Sequence, residues 1–207
     1  MEKVIVELNK VGRLYISDSF SLYQKRPLFY TISGNHISGA LNIKKNDSEL
    51  VNVISWFNDF WLYIEIKFVP KKNRRELPNI FFSLSVFQGS SEDENKNQLF
   101  RAEWDNYEDS QTHAQPHWHI YTEYDKDKIG KSFEEEIGAD EEDSFIDFVD
   151  GKRDRVAINR IHFAMNGQWA ERNGDVHTLN DSNNLINWFS GLILHIKQEL
   201  KYLIEKT

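Results

Sequence analysis

The sequence predicts an α+β fold: an antiparallel β-sheet with one face covered by helices, among them a long C-terminal helix. Three features lead there. Four segments between Leu62 and Tyr121 alternate apolar and polar residues, the period of strands that bury one face. Leu185, Phe189, Leu192, Ile193, Ile196, Leu200 and Leu203 recur at helical spacing behind Asp181 or Ser182 as the capping residue. A stripe that wide must be buried, and the apolar side of the sheet is the surface on offer.

Taken in order, residues 1–46 hold short apolar bursts, Val4-Ile5-Val6, Leu14-Tyr15-Ile16 and Leu28-Phe29-Tyr30, broken by Gly12, Pro27, Gly34 and Gly39. That pattern predicts an N-terminal β region of strands and turns. Asp47 and Ser48 are good caps, and Leu50, Val53, Ile54 and Phe57 follow at helical spacing, so a helix is expected over 47–59. The sheet is expected to span 62–165. Its first strand has Leu62, Ile64, Ile66 and Phe68 on the apolar side, with Glu65 and Lys67 opposite. Between Pro70 and Pro78 lies a basic loop with Lys71, Lys72, Arg74 and Arg75, which reads as a solvated hairpin loop or a phosphate-contacting patch. A strand over 79–88 sets Ile80, Phe82, Leu84 and Val86 against a second face containing Ser83 and Ser85. Two further strands, 97–105 and 117–121, pair through the polar loop 106–115. An acidic insert over 125–155 then interrupts the pattern, which resumes as a strand over 156–165 before the C-terminal helix, 181–204.

With 207 residues, 40% of them hydrophobic, the chain can bury the core of a single domain. Having no cysteine, it can form neither a disulfide nor a zinc–thiolate site, so any metal must rest on histidine and carboxylate. No run approaches the eighteen or so apolar residues of a membrane span, and MEKVIVELNK lacks the apolar core of a signal peptide. A cytoplasmic protein without membrane contact is therefore the expectation. Between Phe133 and Asp150 nine acidic residues occur with no Lys or Arg; removing them would take the net charge from −8 to +1. The charge balance thus neither marks the chain as nucleic-acid-binding nor excludes nucleic acid as a partner.

Strand alternation also sorts the chemistry. Arg101, Glu103 and Asp105 share a face of one strand, and His117, His119 and Tyr121 share a face of the next. Lys67 from the first strand and Arg160 and His162 from 156–165 fall on the same side of the expected sheet. Neighbouring strands are only about 4.8 Å apart, so these groups can converge. His117 and His119, at i and i+2, can reach one divalent ion such as zinc, with His162 or a carboxylate from Glu103 or Asp105 as third ligand and a position left for water. Without a metal, His117 and His119 are suited to general acid–base work beside Arg101 and Asp105, with Lys67, Arg160 and Tyr121 binding substrate. RNA fits that scheme, because its 2′-hydroxyl can attack its own phosphate. The plain alternative is a mixed-charge surface whose histidines only exchange hydrogen bonds with neighbouring carboxylates.

Arg101, Trp104-Asp105-Asn106, His113 and Pro116-His117-Trp118-His119-Ile120 together resemble a motif of the TumE-like proteins of bacterial toxin–antitoxin systems, over residues 98–121. The resemblance implies a small antiparallel sheet with helices, a growth-inhibiting role and a cognate antitoxin as partner, or an accessory protein of a related defence operon. Two classes of function follow: a hydrolase or nuclease acting through the His/Arg/carboxylate face, and a non-catalytic binding module that engages a basic partner through the acidic segment 133–150.

Overall fold

In the computed structural model, which describes residues 1–44, 47–71, 78–93, 96–105, 116–121 and 182–206, the chain begins with helix α1, Glu2–Tyr15. The expected β region therefore starts later. Val4, Ile5, Leu8 and Gly12 form the buried side of α1, so the bursts around Gly12 belong to one helical stripe rather than to separate strands. Glycine is needed there because the Phe20 ring occupies the space where a Cβ would stand.

Strands β1 (Ser21–Arg26), β2 (Phe29–Ser33) and β3 (Ile37–Lys44) follow. Asp47–Phe57, expected to be a helix, is strand β4, paired with β3 from Ile37↔Ile54 to Lys44↔Asp47. Its apolar spacing imitates a helix because the strand buries both sides in turn. Val51 and Val53 face one cluster, whereas Ile54 and Trp56 face the main core. Leu50, counted in the supposed helical stripe, is largely exposed.

Strands β5 (Phe60–Val69), β6 (Asn79–Gln88), β7 (Asn97–Asp105) and β8 (His117–Ile120) complete an antiparallel sheet, of eight strands among the described residues, with the path β1-β2-β5-β6-β7-β8. One edge of β5 is shared: β2 pairs with its Glu65–Lys67 end, and β4 with its Phe60–Leu62 end. Helix α2, Ser182–Glu205, closes the described chain. The α+β expectation, including the long C-terminal helix, agrees with this architecture.

Leu185, Phe189, Leu192, Ile193, Ile196 and Leu200 of α2 are buried against the sheet face that carries Leu62, Ile64, Phe82, Leu84, Phe100 and Trp104. Each such side chain contributes roughly 1.5–3 kcal/mol of burial, enough to make this the main core. Phe82 meets Phe189 and Trp188 with ring centroids 5.2 and 5.5 Å apart, and Trp104 meets Trp188 at 5.4 Å.

The opposite face is less open than its polar residues suggest. The β3–β4 hairpin folds over it, and Ala40, Val51 and Val53 pack on Trp61, Tyr63 and Phe87. Beneath the hairpin lies a layer of buried polar groups. Ser85 Oγ donates to Asn42 Oδ1 at 2.9 Å, and Gln98 Oε1 accepts from the Ile43 amide at 2.6 Å. Glu65, whose side chain is 2% exposed, is met by Lys44 Nζ at 3.3 Å and Lys67 Nζ at 3.2 Å. A carboxylate so deeply placed needs such partners, since an isolated buried charge is very costly.

The loop 106–115, the acidic insert, the expected strand 156–165 with Arg160 and His162, and most of the basic loop 70–78 lie outside the described residues. Among the described residues no helix is long and apolar enough to cross a membrane.

Candidate functional site

Register decides which of the polar side chains meet. Thr31, Glu65, Ser83, Glu103 and His117 stand in one row across β2, β5, β6, β7 and β8, and Tyr63, Ser85, Arg101 and His119 stand in the next. The face expected from alternation is thus real, and its chemistry concentrates at the β7–β8 end, beyond the hairpin.

There three side chains converge. His117 Nε2 and His119 Nε2 are 2.8 Å apart. His119 Nε2 lies 3.0 Å from Glu103 Oε2, and His117 Nε2 lies 3.2 Å from the same oxygen. The two imidazoles also pack edge to face, with centroids 4.7 Å apart. Exposure rises from 12% for the Glu103 side chain through 17% for His117 to 31% for His119, so one side of the cluster is reached by solvent.

Burial alone would raise the Glu103 pKa. Hydrogen bonds from His117 and His119 and the Arg101 charge outweigh it and hold the carboxyl well below the usual carboxylate range. Arg101 makes the ion pair through Nε to Glu103 Oε1 at 2.8 Å, and its Nη1 donates to the Ile43 carbonyl at 2.9 Å. That carbonyl also accepts the Tyr121 hydroxyl at 2.7 Å, so the end of β3 is tied to the rim of the cluster.

The expected site residues divide accordingly. His117 and His119 are together. Arg101 is beside them but buried, with its guanidinium turned to Glu103 and the Ile43 carbonyl rather than to solvent. Asp105 shares their face but sits at the end of β7 in register with Phe81, beyond the last β7–β8 pair; Glu103 is the carboxylate that the histidines meet. Lys67 lies two strands away, where it contacts Glu65 and stands 4.8 Å from the Phe81 ring centre. Tyr121 borders the cluster through the Ile43 carbonyl. Arg160 and His162 fall outside the described residues.

Glu103, His117 and His119 are the one group of potential metal ligands found among the described residues. One carboxylate oxygen and two imidazole nitrogens suit a first-row divalent ion. A groove of about 400 Å³ lies elsewhere, lined by Arg13, Asp18, His36 and Lys197 among others, and includes no residue of this cluster. Of its cations, Lys197 already donates to the Tyr15 carbonyl at 3.2 Å and Arg13 to the Phe20 carbonyl at 3.2 Å. No family model, curated protein or solved structure matches the chain.

Proposed function

We propose that the chain is a hydrolase acting on phosphodiesters, RNA among them, and that Glu103, His117 and His119 bind and activate a single attacking oxygen. The observation that carries this reading is the meeting of three donor atoms within 3.2 Å of one another in a part-buried cluster whose most exposed side chain, His119, is 31% exposed. Separate acid and base roles for the two imidazoles would ask their Nε2 atoms to face different substrate oxygens, whereas here they point to one place. A divalent ion, if held by the three side chains, would supply a nucleophile from water near neutral pH. Arg101 positions Glu103. A charged partner for the phosphate then has to come from elsewhere, and Arg160 and the basic loop 70–78 are the candidates in the sequence.

The motif resemblance adds a biological setting, growth inhibition restrained by a cognate protein partner. Cleavage of an RNA oligonucleotide and of a chromogenic phosphodiester by the purified chain tests the chemistry. His117→Ala and His119→Ala proteins with unchanged melting temperatures should lose it. A folded variant that cleaves undiminished removes the histidines from the mechanism.

The crowding of nine acidic residues into 133–150 favours a second reading, a non-catalytic module that captures a basic partner. Deleting that segment should abolish salt-sensitive partner capture under this reading and leave phosphodiester cleavage intact under the first.

A further inference from the structure

We infer that Glu103, His117 and His119 bind one six-coordinate first-row divalent ion, of the manganese, iron, cobalt or nickel class, through a single triangular face of its shell. The three remaining adjacent positions are left to water and substrate. The assignment rests on the same reading of these side chains as the working site, and it adds the coordination and class of the ion.

The donor separations carry it. Ligand atoms about 2.1 Å from an ion stand about 3.0 Å apart at the right angles of an octahedron and about 3.4 Å apart at the tetrahedral angle. The observed separations of 2.8, 3.0 and 3.2 Å bracket the first value and all fall below the second. Four-coordinate zinc, the usual competitor for two histidines and a glutamate, would need a wider triangle.

The surroundings agree. Arg101 engages Oε1, so Glu103 offers one oxygen, Oε2, to the cluster. Imidazole nitrogens beside a single carboxylate oxygen favour transition ions over magnesium or calcium. Two histidines and one carboxylate on a shared face, with open positions, is the donor set associated with non-haem iron(II). Arg101 and its bond to the Ile43 carbonyl then form the outer support that orients the ligand.

Cobalt(II) is the probe. The full chain, purified without an affinity metal column and stripped with a chelator, should take up one cobalt ion. It should show the weak visible absorption of six-coordinate cobalt and two exchangeable, paramagnetically shifted imidazole N–H resonances. His119→Ala, with an unchanged circular dichroism spectrum, should weaken uptake roughly a hundredfold or more. An intense visible band of four-coordinate cobalt, fewer than two imidazole signals, or no stoichiometric uptake would overturn the assignment. If His119→Ala does not fold, the wild-type spectra decide. Uptake without phosphodiester cleavage would keep this ion site and sink the proposed hydrolase. Cleavage that persists in stripped protein lacking cobalt uptake would do the reverse.

Discussion

Arg101 and Glu103 lie on the same side of β7, and the guanidinium Nε sits 2.8 Å from one carboxylate oxygen while the other oxygen is left to the two imidazoles. A single carboxylate thus joins a buried cation to a partly exposed cluster. Removing the cation strands a mostly buried anion, a loss of the kind that typically costs about 3 kcal/mol or more. Arg101→Ala should lower stability by about that amount in guanidinium denaturation. Arg101→Lys should recover only part of it, because an ammonium cannot reproduce the two directions in which the guanidinium reaches Glu103 and the Ile43 carbonyl. A variant as stable as the wild type would show that the pair is not structural.

Two glycines in helices should respond in opposite senses to alanine. Gly191 in α2 has nothing near its missing Cβ, so Gly191→Ala should stabilise by up to about 1 kcal/mol through helix propensity. In α1, the Phe20 ring fills the space beside Gly12, and Phe20 is wholly buried. Gly12→Ala should therefore destabilise by roughly 1–3 kcal/mol despite the same propensity gain. Thermal melts of both variants make the comparison.

Tyr63 should resist alkaline titration. Burial, and then the negative charges of Glu65 and Glu49, push its phenol pKa well above the ordinary value, and its hydroxyl lies 3.3 Å from Glu65 Oε2. The unfolded chain releases this proton near pH 10 and the folded chain keeps it. The sign follows: the stabilisation is fully present below about pH 10 and is lost progressively as the pH rises above it. Tyrosinate absorbance should show Tyr63 ionising only with loss of the native circular dichroism signal. Tyr63→Phe should flatten the decline in stability above pH 10. Full titration of all eight tyrosines in a still-folded protein would contradict this.

Lys96 should act as a structural pin. It is 3% exposed; its Nζ donates to Ser38 Oγ at 2.7 Å, to the Gly39 carbonyl at 3.1 Å and to the Asp93 carbonyl, and it lies over the Trp61 ring at 4.7 Å. It fastens the start of β3 to the β6–β7 connection. Lys96→Met keeps the apolar stem but loses the donors, and should cost about 2 kcal/mol or more with a shift in tryptophan emission. Unchanged stability and emission would assign the anchoring of the hairpin to other contacts.

Alternation in the sequence was enough to place Arg101 and Glu103 on one face, His117 and His119 on the facing strand, and the stripe from Leu185 to Leu200 on a C-terminal helix. Each of those depends only on the local period of the chain, 2 for a strand and 3.6 for a helix. The same means misread residues 2–15 and 47–57. Val4, Ile5 and Leu8 come in bursts too short to show their period, and β4 turns one side to the main core and then the other to the hairpin cluster. Only the tertiary structure chose Glu103 over Asp105 as the partner of the histidines, folded β3–β4 over Glu65 and Ser85, and turned Arg101 inward. Those outcomes depend on cross-strand register and on segments far away in sequence: a shift of two residues along β7 keeps every face unchanged yet sets a different carboxylate opposite His117.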